Sequence, residues 1–233
     1  MLSKVPKHIA IVLDGNRRYA RKLGLQPWKG HEFGVKKLEQ LLEWCRDLGV
    51  KELTLYSFST ENFRRTWQEK DFLFSIFKKE FDNMKYKDTI FKNKIRINVI
   101  GRLGMFPKDI KNAMLDIMKK TKNHNKFIVN FAMAYGGRQE IVDSVKKIAA
   151  LIKNNKIKPN KINEKTITNN LYLKSEPDLV IRPSGEVRTS NFLTWQSVYS
   201  EWAFINKLWP EFTKQDLVKC IEEFKKRERR FGR

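Results

Sequence analysis

The sequence has few of the features that mark several common protein classes. It has two cysteines, Cys45 and Cys220, far apart and without metal-ligand spacing, so neither a disulfide scaffold nor a zinc site is indicated. No apolar run approaches the ~20 residues of a membrane-spanning helix. Residues 1–6 are too short for a signal peptide, and we expect none. A reducing, cytoplasmic compartment is the simplest interpretation.

Several catalytic and nucleotide-binding motifs are also missing. No G-x-G-x-x-G and no G-x-x-x-x-G-K-[ST] occurs, so neither a Rossmann dinucleotide site nor a P-loop is indicated. No Ser-His-Asp or Cys-His arrangement stands out. There is no internal repeat and no low-complexity linker. We therefore expect one domain over residues 1–233.

Acidic residues are scarce relative to basic ones. The chain has 26 Asp and Glu against 48 Lys and Arg, a formal net charge of +22. Nucleic acid, an anionic membrane surface and a phosphorylated substrate are three partners that would suit this charge. A general bias toward lysine is the alternative, because Lys and Asn fill surface-like stretches such as residues 153–165. No nucleic-acid recognition motif is present, and we expect no nucleic-acid partner.

The most informative stretch is HIAIVLDGNRRYA, residues 8–20. Its unbroken apolar run, Ile9 to Leu13, predicts a strand that is buried on both faces. Gly15 permits a tight turn after that strand, and Asn16 is a good N-cap for a following arginine-rich helix. Asp14 would therefore lie at a strand end beside a helix N-terminus.

Ligands bind at the carboxyl ends of strands in open α/β sheets. A helix N-terminus at that edge favours an anion, most often phosphate. Asp14 in such a site would most naturally hold a divalent metal, usually Mg²⁺. A solvent-exposed Asp-Gly turn is the alternative interpretation.

Two later predicted strands end in similar polar clusters. The strand at residues 52–59 is followed by Ser-Thr-Glu-Asn-Phe-Arg-Arg, residues 59–65. The strand at residues 178–181 is followed by a loop, residues 182–191, with two arginines, two serines, a glycine and a glutamate. That composition suits a phosphate cradle. His31, in the first turn of a predicted helix, would either reach a bound anion or serve in capping and packing.

The remaining pattern alternates strands with helices. Further strands are predicted at residues 94–101, 127–134 and 199–205, and helices at 30–48, 68–91, 107–120, 139–152, 163–171 and 212–230. This alternation predicts an α/β protein with a single open, mostly parallel β-sheet surrounded by helices.

The predicted helix at residues 68–91 is unusually aromatic. Its phenylalanines at 72, 74, 77 and 81 lie on overlapping faces. Ordinary core packing would explain them. The alternative hypothesis is that this helix lines an apolar tunnel for a long ligand, with its lysine-rich end near an anionic surface.

Six blocks of the sequence together resemble one enzyme family. They are HIAIVLDGNRRYA, LTLYSFSTENFRR, FAMAYGGRQEI, DLVIRPSGEVRTSNFLTWQ, YSEWAFINKLWPEF and RERRFG. In this order and spacing they resemble the cis-prenyltransferases, and among these the undecaprenyl (polyprenyl) diphosphate synthases. The resemblance implies a homodimer that condenses isopentenyl diphosphate repeatedly onto an allylic diphosphate with Mg²⁺, forming cis double bonds. The family lacks a DDxxD metal motif, and so does this chain.

The resemblance also implies roles for single residues. Asp14 would be catalytic and hold Mg²⁺, with Glu201 as a second carboxylate at the metal. Asn62 would also be catalytic, in a segment implicated in proton removal and positioning. The residues implied to bind substrate are Gly15, Asn16, Arg17, Arg18, Tyr19, His31, Ser59, Thr60, Glu61, Phe63, Arg65, Arg182, Arg188 and Ser190. Of these, Arg182, Arg188 and Ser190 would hold isopentenyl diphosphate.

The chain departs from the family pattern at several positions. Tyr19 and Phe63 stand where the family often has Trp, and both stay aromatic. Val187 stands where bacterial members often have His, Pro183 replaces a usual Thr, and Pro27 stands at a frequent Arg. The loop with Val187 resembles archaeal-type members, which hints at geranylgeranyl rather than farnesyl diphosphate as the starter.

Three further expectations concern the chain's ending, its charge and an alternative function. The ending Arg230-Phe231-Gly232 resembles a family motif that reaches into the partner subunit's site. Lysines would hold the enzyme against anionic lipid, where its product must be delivered. The alternative function is that of a non-catalytic partner subunit in a heteromeric enzyme, although such subunits lose the Asp14-Gly15-Asn16 turn.

Overall fold

The structure, a computed structural model, describes residues 5–227. Its strands are β1 (His8–Val12), β2 (Glu52–Ser59), β3 (Ile95–Ile100), β4 (Phe127–Tyr135), β5 (Leu179–Pro183) and β6 (Glu201–Ile205). They form one sheet in the order β3-β4-β2-β1-β5-β6, and every pairing is parallel. The predicted open parallel sheet is confirmed. Parallel neighbours need a crossover connection, which helices supply here.

The helices lie between and after the strands. They are α1 (Asn16–Lys22), α2 (Gly30–Asp47), α3 (Trp67–Met84), α4 (Asp88–Lys92), α5 (Lys108–Thr121), α6 (Gly137–Lys153), α7 (Glu164–Asn170) and α8 (Lys214–Lys226). Short 3-10 turns join several of them. Within the described part of the chain, none of these helices has the length and apolarity to span a membrane.

Two helix predictions need correction. The helix predicted at residues 68–91 is divided, because the chain is extended at Lys87 (φ −74°, ψ 105°) between α3 and α4. The last helix begins at Lys214, where Thr213 caps it by accepting a hydrogen bond from the Asp216 N–H. The predicted ending Arg230-Phe231-Gly232 lies outside the described residues.

The central strand β1 is buried along its whole length, as its apolar run predicts. Its alternate residues serve two cores. Ile9 and Ile11 pack into the larger core, together with residues of α2, α3, α5 and α8. Ala10 and Val12 face the smaller core on the other side of the sheet, which Phe192 and Leu193 help to fill. Burial on both faces explains why the strand is apolar without interruption from Ile9 to Val12.

A buried polar row crosses the sheet near its N-terminal edge. His8 Nε2 lies 2.7 Å from Thr54 Oγ1. The Asn130 amide donates to Thr54 Oγ1 at 3.0 Å and to Glu52 Oε1 at 2.7 Å. Burial lowers the pKa of His8, although the nearby Glu52 carboxylate opposes this shift. The neutral imidazole is therefore the stable form in the folded protein.

We expect this histidine to make stability pH-dependent. The pKa of His8 is lower in the folded chain than the ~6.5 of an unfolded chain. Its contribution to the free energy of unfolding is therefore complete above pH ~6.5. The contribution is lost as pH falls from ~6.5 through the folded pKa, because only the unfolded chain then takes up a proton. Urea unfolding at pH 7.5 and 5.5 should show a smaller loss of unfolding free energy in His8→Gln than in the unmodified protein.

Burial also lowers the pKa of His31. This histidine therefore also makes the free energy of unfolding decrease as the pH falls. In the double variant His8→Gln/His31→Gln, the difference in unfolding free energy between the two pH values should therefore be smaller still. An unchanged pH dependence in both variants would show that carboxylates account for it instead.

Candidate active site

The turn after β1 places the first site residues. Gly15 has φ +107°, a left-handed conformation that favours glycine. Asn16 is the first residue of α1, and the predicted side-chain cap is wrong: its amide donates back to the Leu13 carbonyl at 3.1 Å. The Asn16 Oδ1 atom is buried without a protein partner. It faces Gly34 of α2, where a Cβ atom would lie 2.4 Å away, so glycine lets α2 approach.

Asp14 lies at the centre of a charged cluster. Its Oδ2 accepts hydrogen bonds from Arg182 Nη2 at 2.8 Å and Ser184 Oγ at 3.0 Å. Arg18 Nη2 lies 3.5 Å from its Oδ1. Partial burial by itself would raise the pKa of Asp14, but these hydrogen bonds and the two guanidinium charges lower it overall. Asp14 is therefore ionised at neutral pH.

Arg182 is buried and joins β5 to the loop that follows. Its Nη1 donates to Ser190 Oγ at 2.6 Å and also to the Arg188 carbonyl. The loop bends around this guanidinium through left-handed residues, Ser184 (φ 111°) and Ser190 (φ 51°) among them. Non-glycine residues in this region are strained, and such strain often marks functional sites. Sequence analysis missed Ser184 as a site residue, although its place directly after a buried strand was a usable signal.

Two arginines stand at the outer side of this cluster. Glu186 accepts hydrogen bonds from Arg18 at 3.3 Å and from Arg188 at 2.5 Å. Both guanidinium groups stay substantially exposed to solvent. Val187, at the position of the family's frequent histidine, is 75% exposed. The outer side of the site therefore presents solvent-exposed guanidinium groups, which suit phosphate oxygens.

The segment after β2 forms a second part of the site. Asn62 Oδ1 accepts a hydrogen bond from the Ser59 N–H at 3.0 Å, in a reciprocal capping arrangement of a 3-10 turn. The Thr60 hydroxyl donates to Glu61 Oε1 at 3.1 Å. Burial raises the pKa of Glu61, but hydrogen bonds to its carboxylate lower it overall. Phe63 points away into an aromatic cluster, with its ring 5.0 Å from that of Phe58.

A third group of cations surrounds one carboxylate that sequence analysis missed. Glu69 Oε1 lies 3.0 Å from Arg65 Nη1, 3.6 Å from Arg17 Nε and 3.7 Å from His31 Nε2. Burial would raise the pKa of Glu69, but His31 and the two arginines lower it overall. Its spacing from Thr66 is typical of a helix cap. That local role gave no indication of its contacts with Arg17 of α1 and His31 of α2. The predicted residues His31, Arg17 and Arg65 are thus held together.

For the allylic diphosphate that the resemblance implies as substrate, we expect Glu69→Gln to weaken binding by about tenfold. The variant keeps the side-chain shape but removes the charge that holds the three cations in one orientation. Steady-state kinetics with isopentenyl diphosphate saturating should show the change mainly in KM. Glu32→Gln, at an exposed position of α2, is the matched control. A variant with unchanged KM would contradict this positioning role.

One predicted residue, Glu201, lies apart from Asp14 within the chain. Glu201 is the first residue of β6 and pairs with Leu179, so it lies at the opposite, N-terminal edge of the sheet. It accepts a hydrogen bond there from Arg227 at 2.6 Å. The strand rise of roughly 3.3 Å per residue separates it from Arg182 by about 10 Å. Within one chain it does not reach Asp14.

Tyr19 packs edge-to-face on Phe33, with ring centroids 5.2 Å apart.

A cavity of about 340 Å³ lies beside the charged site, between α2, α3 and the sheet. Asn16 and His31 line it near the site, and Leu38, Phe77 and Phe81 are among its apolar walls. Phe77 and Phe81 of α3 line this cavity, as the tunnel hypothesis predicts, and a long apolar ligand in it stays a prediction. Phe74 instead packs into the aromatic cluster with Phe58 and Phe63, and Phe72 lies under the Lys29 ammonium group.

The donor set at Asp14 is compatible with a hard cation. An ionised carboxylate, 30% exposed at its side chain, suits Mg²⁺, which is commonly held by one or two carboxylates together with substrate phosphates. No group of three or more His, Cys, Asp or Glu side chains lies close enough to hold a metal among residues 5–227. The chain therefore fits a metal bound jointly by Asp14 and a phosphorylated ligand, and not a closed protein cage.

Fold and site together define an open α/β protein with a cluster of arginines around Asp14 at the carboxyl edge of its sheet and a mostly apolar cavity beside it. A family model described as putative undecaprenyl diphosphate synthase matches residues 12–232. The chain therefore belongs to this family of prenyltransferases.

Relatives and solved structures agree with this membership. The chain is 47% identical to the geranylgeranyl-diphosphate-specific tritrans,polycis-undecaprenyl-diphosphate synthase of Thermococcus kodakarensis, covering 98% of this chain and 88% of that protein. It is 43% identical to an isoprenyl transferase of Thermus thermophilus, over 98% of this chain and 89% of that one.

Among solved structures, lavandulyl diphosphate synthase from Lavandula x intermedia, in complex with dimethylallyl diphosphate, superimposes with a TM-score of 0.93. It is 33% identical, over 98% of this chain and 99% of that one. A probable undecaprenyl diphosphate synthase from Campylobacter jejuni has a TM-score of 0.82 and 34% identity, over 99% of this chain and 100% of that one.

Proposed function

We propose that this protein is a cis-polyprenyl diphosphate synthase that adds isopentenyl diphosphate repeatedly to an allylic diphosphate. The whole chain would act as one catalytic domain. The observation that carries the proposal is the position of ionised Asp14, held by Arg182 and Ser184 next to a mostly apolar cavity that Leu13 and Asn16 line. An anionic head and an apolar tail of one ligand would match these two adjoining environments. The names of the archaeal relatives support geranylgeranyl diphosphate as the starter.

The first task of the site is to stabilise the departing diphosphate. Arg18 and the N-terminus of α1 offer positive charge at the position of Asp14, with further cations from Arg17 and Arg65 nearby. Such preorganised groups stabilise charge that develops on a leaving group. Asp14 would hold Mg²⁺, which when bound supplies further neutralisation of phosphate charge.

The second task is to place the isopentenyl group against the developing cation. Arg182, Arg188 and Ser190 share the loop after β5, and Arg182 joins that loop directly to Asp14. A diphosphate bound there would lie beside the first one, so the two reacting carbons could be held close. Asn62 belongs to the neighbouring turn after β2, and its proposed role is to position the group that loses a proton.

A homodimer is also proposed, with the sheet edge at β6 as its interface. No further strand of residues 5–227 pairs with the outer edge of β6. Trp202 and Phe204 stack there with ring centroids 5.6 Å apart, and Val198 is well exposed. An edge of this kind is commonly covered by another chain. Sedimentation velocity should give a dimer that Phe204→Lys dissociates, and a monomeric unmodified protein would refute the interface.

The proposed cellular setting is the cytoplasm, with peripheral contact to an anionic membrane. Tyr86 is largely exposed after α3, with Lys120 Nζ 5.5 Å from its ring centre. Lysines beside an exposed aromatic residue suit an anionic lipid surface. Binding to vesicles with and without anionic lipid tests this. Binding that depends neither on lipid charge nor on salt concentration would rule out this membrane contact.

The direct test of function is one assay. Purified protein with Mg²⁺ and labelled isopentenyl diphosphate is incubated with farnesyl or geranylgeranyl diphosphate, and product lengths are resolved. Long Mg²⁺-dependent products are expected, with faster synthesis from geranylgeranyl diphosphate. No incorporation by folded dimeric protein would instead favour a non-catalytic partner subunit.

A further inference from the structure

The glycine pair Gly136-Gly137 stands where β4 ends and α6 begins. It belongs to the sequence block FAMAYGGRQEI, of which no residue is among those implied to bind substrate. A Cβ atom on Gly136 would lie 2.7 Å from Asn191 Nδ2, and one on Gly137 would clash with the Thr194 side chain. The two glycines therefore let the chain after β5 lie directly against the first turn of α6.

Asn191 makes hydrogen bonds between these two segments. Its carbonyl accepts from the Gly137 N–H at 2.7 Å. Its Oδ1 accepts from the Arg138 N–H at 2.9 Å, and its Nδ2 donates to Gln139 Oε1 at 3.0 Å. The first N–H groups of a helix have no partner within it, so Asn191 satisfies two of them from a segment 53 residues away.

The backbone conformation of Asn191 also restricts which residue can stand there. It is left-handed, with φ 63°, and follows Ser190 at φ 51°. Asparagine adopts this conformation more readily than most residues other than glycine. Ser190 accepts a hydrogen bond from Arg182, so the contacts of Asn191 with α6 fix the part of the loop that Arg182 engages.

The same part of the loop is attached to β2. The Tyr56 hydroxyl donates to the Ser190 carbonyl at 3.4 Å, and the Tyr56 ring stacks on Phe192 with centroids 4.5 Å apart. Strands β2 and β4 are neighbours, and Ser59 at the end of β2 pairs with Tyr135 at the end of β4. The turn after β2 therefore begins beside the start of α6.

Asn191 reaches that turn with its side-chain amide. Burial alone would raise the pKa of Glu61, but hydrogen bonds to its carboxylate lower it, and one of them comes from the Asn191 side chain. A side-chain amide has two donor hydrogens, and Gln139 Oε1 accepts one of them. Asn191 therefore connects three segments, which are the loop after β5, the first turn of α6 and the turn after β2.

We propose that Asn191 is a positioning residue, which fixes the loop after β5 against α6 and against the turn after β2. This role rests on the proposed function, in which the loop holds isopentenyl diphosphate and the turn carries Asn62. Asn191 acts through Ser190 and Arg182, and it sets where isopentenyl diphosphate lies relative to the starter. Holding two reactants in the right geometry lowers the barrier, and a displacement of ~1 Å lowers the rate by up to ~10²-fold.

Two substitutions separate this role from that of a helix cap. Asn191→Gly keeps the left-handed backbone but removes both side-chain contacts. Asn191→Asp keeps an oxygen that accepts from the Arg138 N–H, and a carboxylate is favourable at a helix N-terminus. It loses the donor to Gln139 and places a second negative charge beside Glu61. A residue that only capped α6 would therefore tolerate aspartate, whereas a residue that positions the loop would not.

The first measurement is steady-state kinetics with saturating geranylgeranyl diphosphate as the starter. Both variants should lower kcat/KM for isopentenyl diphosphate by roughly ten- to a hundredfold. The dissociation constant of the starter, measured by calorimetry, should not change, because α1 and its arginines hold its diphosphate in the proposed function. Asn155, just beyond α6, is exposed and also left-handed (φ 54°). Asn155→Gly and Asn155→Asp are therefore the matched controls and should behave as the unmodified protein does.

A second measurement needs no turnover. Hydrogen–deuterium exchange is followed by mass spectrometry in peptides that cover residues 182–191, residues 59–65 and the first turn of α6. Asn191→Gly should speed exchange in all three segments, because hydrogen bonds that join them are lost. Asn191→Asp should speed exchange in the loop and in the turn after β2, but not in α6.

The two measurements distinguish failure of this role from failure of the proposed function. An unmodified protein that makes no product would refute the proposed function, while the exchange rates would still test the positioning role. Unchanged kcat/KM in Asn191→Asp, or faster exchange confined to α6 in Asn191→Gly, would overturn the role of Asn191. An equal loss of starter binding would indicate general disruption of the site and would overturn it as well.

Discussion

Asp14→Asn should reduce the rate of isopentenyl diphosphate incorporation by at least ~10²-fold, the scale of losing one preorganised electrostatic contact. The asparagine keeps the shape of the side chain and one oxygen that can accept from Arg182 and Ser184. It removes the negative charge that a hard cation requires and that balances two guanidinium groups. Initial rates with labelled isopentenyl diphosphate and a saturating allylic starter measure the effect.

The control must separate lost chemistry from lost structure. Asp71→Asn changes an exposed carboxylate of α3 and should leave both rate and stability unchanged. In Asp14→Asn the free energy of unfolding should fall by no more than about 2 kcal/mol, because the hydrogen-bonding geometry is kept. Near-normal incorporation by folded Asp14→Asn protein would refute the catalytic assignment.

Arg182→Lys should lower incorporation by about 10²-fold, and Arg182→Ala should lower it further. The guanidinium reaches Asp14 through one nitrogen, and through the other it reaches Ser190 and the Arg188 carbonyl. A lysine keeps the charge but cannot hold both sides of this fork. The rate at saturating concentrations of both substrates is the measurement, with KM for isopentenyl diphosphate determined separately.

The two variants differ in their expected effect on stability. Arg182→Ala leaves the half-buried Asp14 carboxylate without its main partner and should lower the free energy of unfolding by roughly 2 kcal/mol. Arg182→Lys should lower it less, because a cation remains. Arg96→Lys, at an exposed position of β3, controls for the substitution itself. A rate loss confined to Arg182→Ala would show that charge alone is sufficient there.

Residues whose role depends on neighbouring sequence were the most predictable. The apolar run of β1 and the turn at Gly15 were identified because burial on both faces and a left-handed turn each restrict the local residue types. Asn16 shows the limit of this approach. Its residue type and its position after Gly15 predict a helix cap. In the structure its side-chain amide instead donates to the Leu13 carbonyl, and its Oδ1 lies against Gly34 of α2.

Residues whose partners come from distant segments were harder to predict. Glu69 has the spacing of an ordinary helix cap, and its three cations come from α1, α2 and the segment before α3. Glu201 is a second example. The resemblance associates it with the metal, and this role stays a prediction, because the direction of β6 places Glu201 at the other edge of the sheet from Asp14 of the same chain.

The sequence alone determined that polar clusters follow buried strands, because hydrophobic runs and turn residues are local properties of the chain. It also determined the family, through six blocks that extend over nearly its whole length. Only the tertiary structure decided which clusters meet. The strand order places β5 directly beside β1, so Arg182 reaches Asp14 across a separation of 168 residues, and such long-range pairing leaves no periodic signal in either segment.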